Sequence, residues 1–181
     1  DLTVMYRPPN QRWMTEMMTY VRNRPGLRAV PTNLTGVRQM VRELRQGRAV
    51  GILPDHVPPE GQGLWAPFFG RPAYTMTLAA KLVHQTGAVV VFVWGERLPA
   101  ARGYRMHCVP MQEPLSADLQ TAVTQINQAM EALILSAPEQ YMWSYARYRH
   151  PRPQPTVSEQ APAAQRPPAN ASANQEQEPS A

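Results

Sequence analysis

Three places in this sequence hold side chains that could take part in chemistry. The first is Arg7, pinned by Pro8-Pro9 directly after the apolar run Leu2–Tyr6. A planar guanidinium fork there could clamp a phosphate or carboxylate. The second is Pro54-Asp55-His56, where a carboxylate follows an apolar stretch at once. Asp55 could orient a base or a loop, or simply cap turn N–H groups. His56 lacks a carboxylate at a spacing that would hold it as a general base. The third is the glycine-bearing loop Glu60–Trp65 leading to Phe68-Phe69-Gly70-Arg71. Glycines let backbone N–H groups approach an oxyanion, while Trp65, Phe68 and Phe69 could wall an acyl chain or pack as core. No Gly-x-Ser-x-Gly elbow is present, and the four histidines are scattered rather than clustered for a metal. No cofactor is expected. The lone Cys108 excludes an internal disulfide and suggests a small buried apolar residue.

The elements that must position these residues alternate in type. Leu2–Tyr6 predicts a strand, and Gln11–Arg24 a helix with Trp13, Met14, Met17, Tyr20 and Val21 on one face. Leu34, Val37, Met40, Val41 and Leu44 recur at helical spacing between an Asn33 N-cap and a Gly47 stop. A short strand at Ala49–Leu53 is followed by a helix at Tyr74–His84, ended by Gly87. Ala88–Trp94 is apolar throughout, as in a strand covered on both faces. Tyr104–Val109 is a further strand, and Ser116 caps a long helix running to Ser136. The alternation predicts an α/β fold, a mostly parallel sheet flanked by helices. Sites in such sheets form beyond the carboxyl ends of the strands, where Arg7 and Asp55 stand.

The chain has 181 residues and a net charge of +5. From Gln154 onward three glutamates oppose one arginine, so 1–153 carries +7. Lys81 is its only lysine; the other cations are arginines. Such a surface suits anionic lipid, phosphate or nucleic acid. Residues 154–181 are Pro-, Ala- and Gln-rich without an aromatic residue, which predicts a disordered tail. The longest unbroken apolar run has seven residues, against the ~20 of a spanning helix. The chain opens on Asp1 and enters a strand-like run at once, the pattern expected of a fragment.

Taken in order, Val4-Met5-Tyr6-Arg7-Pro8, Gly51–His56, Pro67-Phe68-Phe69-Gly70, Gly103-Tyr104 and Ala137-Pro138-Glu139-Gln140-Tyr141-Met142-Trp143 with Arg147-Tyr148 resemble the lipid A biosynthesis acyltransferase family, of lauroyl/myristoyl type. The resemblance covers nearly all of 1–153. It implies a glycerol-phosphate-acyltransferase-like sandwich, incomplete at the N-terminus. In that mechanism the histidine of a His-x-x-x-x-Asp/Glu pair deprotonates an acceptor hydroxyl, which attacks an acyl thioester. Here His56, His84, His107 and His150 are followed five residues on by Gly61, Val89, Gln112 and Pro155. The pair is therefore expected upstream of Asp1, and the chain alone is expected to be inactive.

The resemblance further implies an acyl carrier protein thioester as donor and the Kdo-bearing lipid A precursor as acceptor. It places the enzyme at the cytoplasmic face of the inner membrane, with its anchor segment outside this chain. Arg7, Asp55, Phe68, Phe69 and Gly70 are the substrate-binding residues it implies. Tyr141, Trp143 and Arg147 match the family's C-terminal corner and are read as structural. The competing reading is a non-catalytic basic module binding anionic membrane or nucleic acid. The lack of an interleaved Arg/Lys-aromatic platform weighs against nucleic acid.

Overall fold

The computed structural model describes residues 1–6, 20 and 24–151. The predicted helix at Gln11–Arg24, the side chain of Arg7 and the tail from Gln154 lie outside the described residues, apart from Tyr20 and Arg24. Three parallel strands, β1 (Leu2–Tyr6), β2 (Leu27–Pro31) and β3 (Ala49–Gly51), form a sheet in the order β2-β1-β3. Leu2 pairs with Leu27 on one side and with Ala49 on the other. Helix α1 (Leu34–Arg45) makes the crossover from β2 to β3. Asn33 caps it as predicted, its Oδ1 accepting from the Gly36 N–H at 3.0 Å. Gly47 follows its end at φ +73°.

Two antiparallel hairpins depart from the sequence reading. Strands β4 (Gly63–Phe68) and β5 (Arg71–Met76) pair residue for residue, from Gly63 with Met76 to Phe68 with Arg71. Tyr74 and Thr75 therefore lie in a strand, and the helix expected at Tyr74–His84 begins later, as α2 (Leu78–Thr86). Pairing with β4 overrides the local apolar periodicity, as strand context commonly does. Strands β6 (Val91–Arg97) and β7 (Tyr104–Pro110) form the second hairpin. Of the seven described strands three are parallel and four antiparallel, so the sheet structure is not mostly parallel.

Nor is β6 covered on both faces. Phe92 packs toward the core, but Val91 and Val93 are exposed, and Val89 before the strand is 87% exposed. Across the hairpin Met106 and Cys108 share that exposed face, so the cysteine is not buried.

Helix α3 (Leu119–Ser136) is capped by Asp118 rather than Ser116; the Asp118 carboxylate accepts from the Thr121 N–H at 2.8 Å. Its Val123, Ile126 and Met130 pack on Ala66, Phe68 and Ala73 of the β4–β5 hairpin. A second cluster joins Val30 of β2, Met40 and Val41 of α1, and Leu82 of α2. Residues 138–148 then return along the hairpin toward the loop that follows β3.

Candidate functional site

The carboxyl edge of the parallel sheet leads directly into the Pro54-Asp55 turn. What holds that turn is the chain's C-terminal corner. The Tyr141 hydroxyl donates to Asp55 Oδ2 at 3.3 Å. The Val57 N–H donates to the Tyr145 hydroxyl at 2.8 Å. The His56 ring stacks on Tyr145, with 5.1 Å between centroids. His56 is otherwise exposed and has no carboxylate partner among the described residues. Burial, with Asp55 alongside, pushes the Tyr141 phenol up to about 12. Tyr141 therefore stays protonated and acts as a donor, and Asp55 Oδ2 keeps a fixed partner.

The corner is itself anchored on the β4–β5 hairpin by Arg147, a residue only 3% exposed. Its Nη1 donates to the Tyr74 carbonyl at 2.8 Å and its Nη2 to Thr75 Oγ1 at 2.7 Å. The guanidinium also lies 5.1 Å from the Phe68 ring centroid. Burial lowers its pKa, while Tyr141 and Asp55 oppose that shift. Asn127 of α3 joins the network, donating to Pro67 O at 2.8 Å and Thr75 Oγ1 at 3.1 Å. Tyr148 completes it by donating to Phe68 O at 2.8 Å.

Phe69 and Gly70 form the two-residue loop of this hairpin, with φ of +47° and +71°. Both positive values match the twist of paired strands. For phenylalanine that backbone costs about 1–2 kcal/mol. Two contacts hold it there. The Phe69 N–H donates to Glu131 Oε1 on α3 at 2.8 Å, and the ring lies 5.7 Å from Trp143.

The expected aromatic wall is divided. Strand alternation turns Trp65 outward, against Tyr74 and His150, and Phe68 inward, where it is 1% exposed. Phe69 and Asp55 are brought into one arrangement through Trp143 and Tyr141, whose rings are 4.9 Å apart. Arg7 follows Tyr6 of β1 in sequence and lies outside the described residues. Sequence reasoning passed over Tyr145 and Glu131. Tyr145 could have been found from its place between Trp143 and Arg147; Glu131, beside Met130 on an amphipathic helix, gives no such signal. Among the described residues no group of three His, Cys, Asp or Glu side chains gathers to hold a metal. No described helix is long and apolar enough to cross a membrane.

Chemically, this is a rigid carboxylate turn beside a strained aromatic loop, set at a sheet edge. It can position and wall a substrate, but the described residues offer no histidine–carboxylate couple beyond His107 with Glu96, 2.8 Å apart on the β6–β7 hairpin.

The chain is 28% identical over 147 residues to the lipid A biosynthesis lauroyltransferase of Escherichia coli, covering 80% of this chain and 47% of that protein. It is 30% identical over 145 residues to the lipid A biosynthesis palmitoleoyltransferase of the same organism, again 80% of this chain and 47% of the relative. The lipid A biosynthesis acyltransferase of Haemophilus influenzae is 26% identical over 142 residues, 78% of this chain and 44% of its own length. The chain thus spans about half the length of the curated relatives it matches. Residues 1–150 match the bacterial lipid A biosynthesis acyltransferase family as a whole, and the chain belongs to that family.

Proposed function

We propose that this chain supplies the acceptor-side wall of an enzyme that transfers a fatty acyl chain to a hydroxyl of the Kdo-bearing lipid A precursor. The donor is an acyl carrier protein thioester. A histidine, oriented by an acid five residues on and contributed from outside these 181 residues, takes the hydroxyl proton. The oxygen attacks the thioester carbonyl, the C–S bond breaks, and the carrier leaves as a thiol on taking the proton back from the histidine. No acyl-enzyme is needed, because holding the two substrates together in line supplies much of the rate.

In this assignment Arg7 grips an anionic group of the acceptor. Asp55, fixed by Tyr141, shapes the cleft at the sheet edge. Phe69 and Gly70 border the acyl chain, and Phe68 supports them from the core. The reaction takes place at the cytoplasmic face of the inner membrane, with residues 1–153 as the C-terminal part of a sandwich-like catalytic domain. The exposed apolar face of β6–β7 supports that incompleteness. A two-stranded sheet with Val91, Val93, Met106 and Tyr104 in water is marginal without a cover.

The observation that carries this reading is the Asp55 turn, locked by Tyr141 and Tyr145 within a family match spanning residues 1–150. The test is acyl transfer from acyl carrier protein to a lipid A precursor. The 181-residue chain alone should give no product. A protein extended to the length of its relatives should turn over, and its Asp55→Asn variant should lose at least about tenfold in kcat/KM. Turnover by the isolated chain, or an unimpaired Asp55→Asn enzyme, would contradict the assignment.

A further inference from the structure

Helix α1 carries Arg38, Arg42 and Arg45 in a row, all exposed. Steps of four and three residues place them on one face, spanning about 10 Å of helix. Among the described residues no carboxylate lies within ion-pair distance of any of them. The helix's one acid, Glu43, is buried and committed to Arg48, with Arg28 at 3.9 Å. Arg42 and Arg45 stand in the last turn, where the helix dipole favours cations. Arg38 has no such explanation. The row borders an open trough of about 470 Å³, floored by Val37 and Val41 and closed by Gln85 of α2.

A cationic rim along an apolar floor is a particular shape. The arginines are spread along an axis, so they do not converge on one phosphate. The trough is a concavity between α1 and Gln85 of α2, so a flat bilayer meets its floor poorly. A helix with acids on one edge and aliphatic residues beside them fits both features, in the helix-in-groove mode. We propose that this trough docks an acidic amphipathic helix of the carrier protein that delivers the acyl thioester. This rests on the carrier-linked donor of the proposed function and adds where the carrier sits.

The experiment is direct binding of the 181-residue chain to purified acyl carrier protein, with vesicles containing anionic phospholipid as a parallel arm. The wild-type chain should bind the carrier, more weakly as salt rises. The variant R38E/R42E/R45E should bind at least about tenfold more weakly. A carrier protein with acidic helix residues changed to lysine should restore binding to the reversed chain. Circular dichroism confirms the fold, and R38Q/R42Q/R45Q provides the measurement should reversal unfold α1. No carrier binding by the wild-type chain, or equal binding by the variants, would overturn the proposal. Arginine-dependent binding to vesicles without carrier binding would overturn it too and assign the row to lipid. Acyl transfer is read on turnover, so carrier docking elsewhere leaves the enzymatic reading intact. In a protein extended to the length of its relatives, carrier binding without transfer would sink the enzymatic reading instead.

Discussion

Replacing Arg147 with methionine tests whether the C-terminal corner really hangs on one side chain. The substitution keeps much of the volume and removes the fork. Two charge-assisted hydrogen bonds are lost, to Tyr74 O and Thr75 Oγ1; each is worth about 1.5–3 kcal/mol. The contact with the Phe68 ring goes as well. Against this, methionine no longer requires a guanidinium to leave water, and that cost is several kcal/mol per ion. Thr75 Oγ1 also keeps Asn127 as a donor. The balance is a net destabilisation of about 2–4 kcal/mol, inside the range for breaking buried polar networks. For a chain of this size that lowers Tm by about 4–16 °C. Urea and thermal unfolding read the global effect. Hydrogen exchange at the Val57 amide reads the local one, because that N–H is held by Tyr145 two residues before Arg147. Arg147→Lys keeps the charge but cannot reach two acceptors with one planar fork, so it should recover less than half of the loss. A methionine variant as stable as the wild type, or a lysine variant equal to it, would refute the reasoning.

Two further substitutions probe the hairpin and the Asp55 turn. Gly63→Ala places a Cβ 2.6 Å from the Thr75 carbonyl oxygen and 2.8 Å from Pro58 Cγ and Tyr74 Cε1. The first neighbour is backbone, so the strand pair must part, at about 1–3 kcal/mol. Gly95→Ala, with nothing within 4 Å, is the control and should stay within about 0.5 kcal/mol in chemical denaturation. Tyr141→Phe removes the phenol that burial and Asp55 hold up to about 12. Its folded pKa lies above the unfolded value of about 10, so its contribution is full below that value and is lost as pH rises toward 12. Wild-type stability should fall more steeply than the variant's across that window, and equal slopes would count against the Tyr141–Asp55 contact.

How much of this was legible depended on whether the signal was local. Asn33 as a cap and Gly47 and Gly87 as stops are local backbone chemistry, and all three stand where the sequence puts them. The parallel pairing of Leu2–Tyr6 suited its short apolar text. The β4–β5 hairpin was missed because Phe69-Gly70 lacks the Asn-Gly or Asp-Gly signature of its turn type. Its left-handed phenylalanine is sustained by Glu131, 62 positions away, and no window of sequence contains that contact. The same distance hid the division of Trp65 from Phe68: once the segment is a strand, alternation settles it. Asp55 was picked out from its place after a strand, but its partners lie 86 residues on.

The C-terminal corner and the Asp55 turn are therefore one arrangement rather than two. Tyr141 reaches Asp55 because Arg147, Tyr145 and Tyr148 fix the return of the chain across the hairpin. Its phenol ionises only near pH 12, so it donates to the Asp55 carboxylate across the whole neutral range. The Tyr141 phenol therefore keeps its proton between about pH 6 and 9. In the proposed mechanism a pH dependence of acyl transfer in that interval is expected from the group that takes the acceptor's proton, not from Tyr141. The two halves of the proposed mechanism can thus be separated by a titration: Asp55 and Tyr141 set the level of the rate, and the base sets its shape.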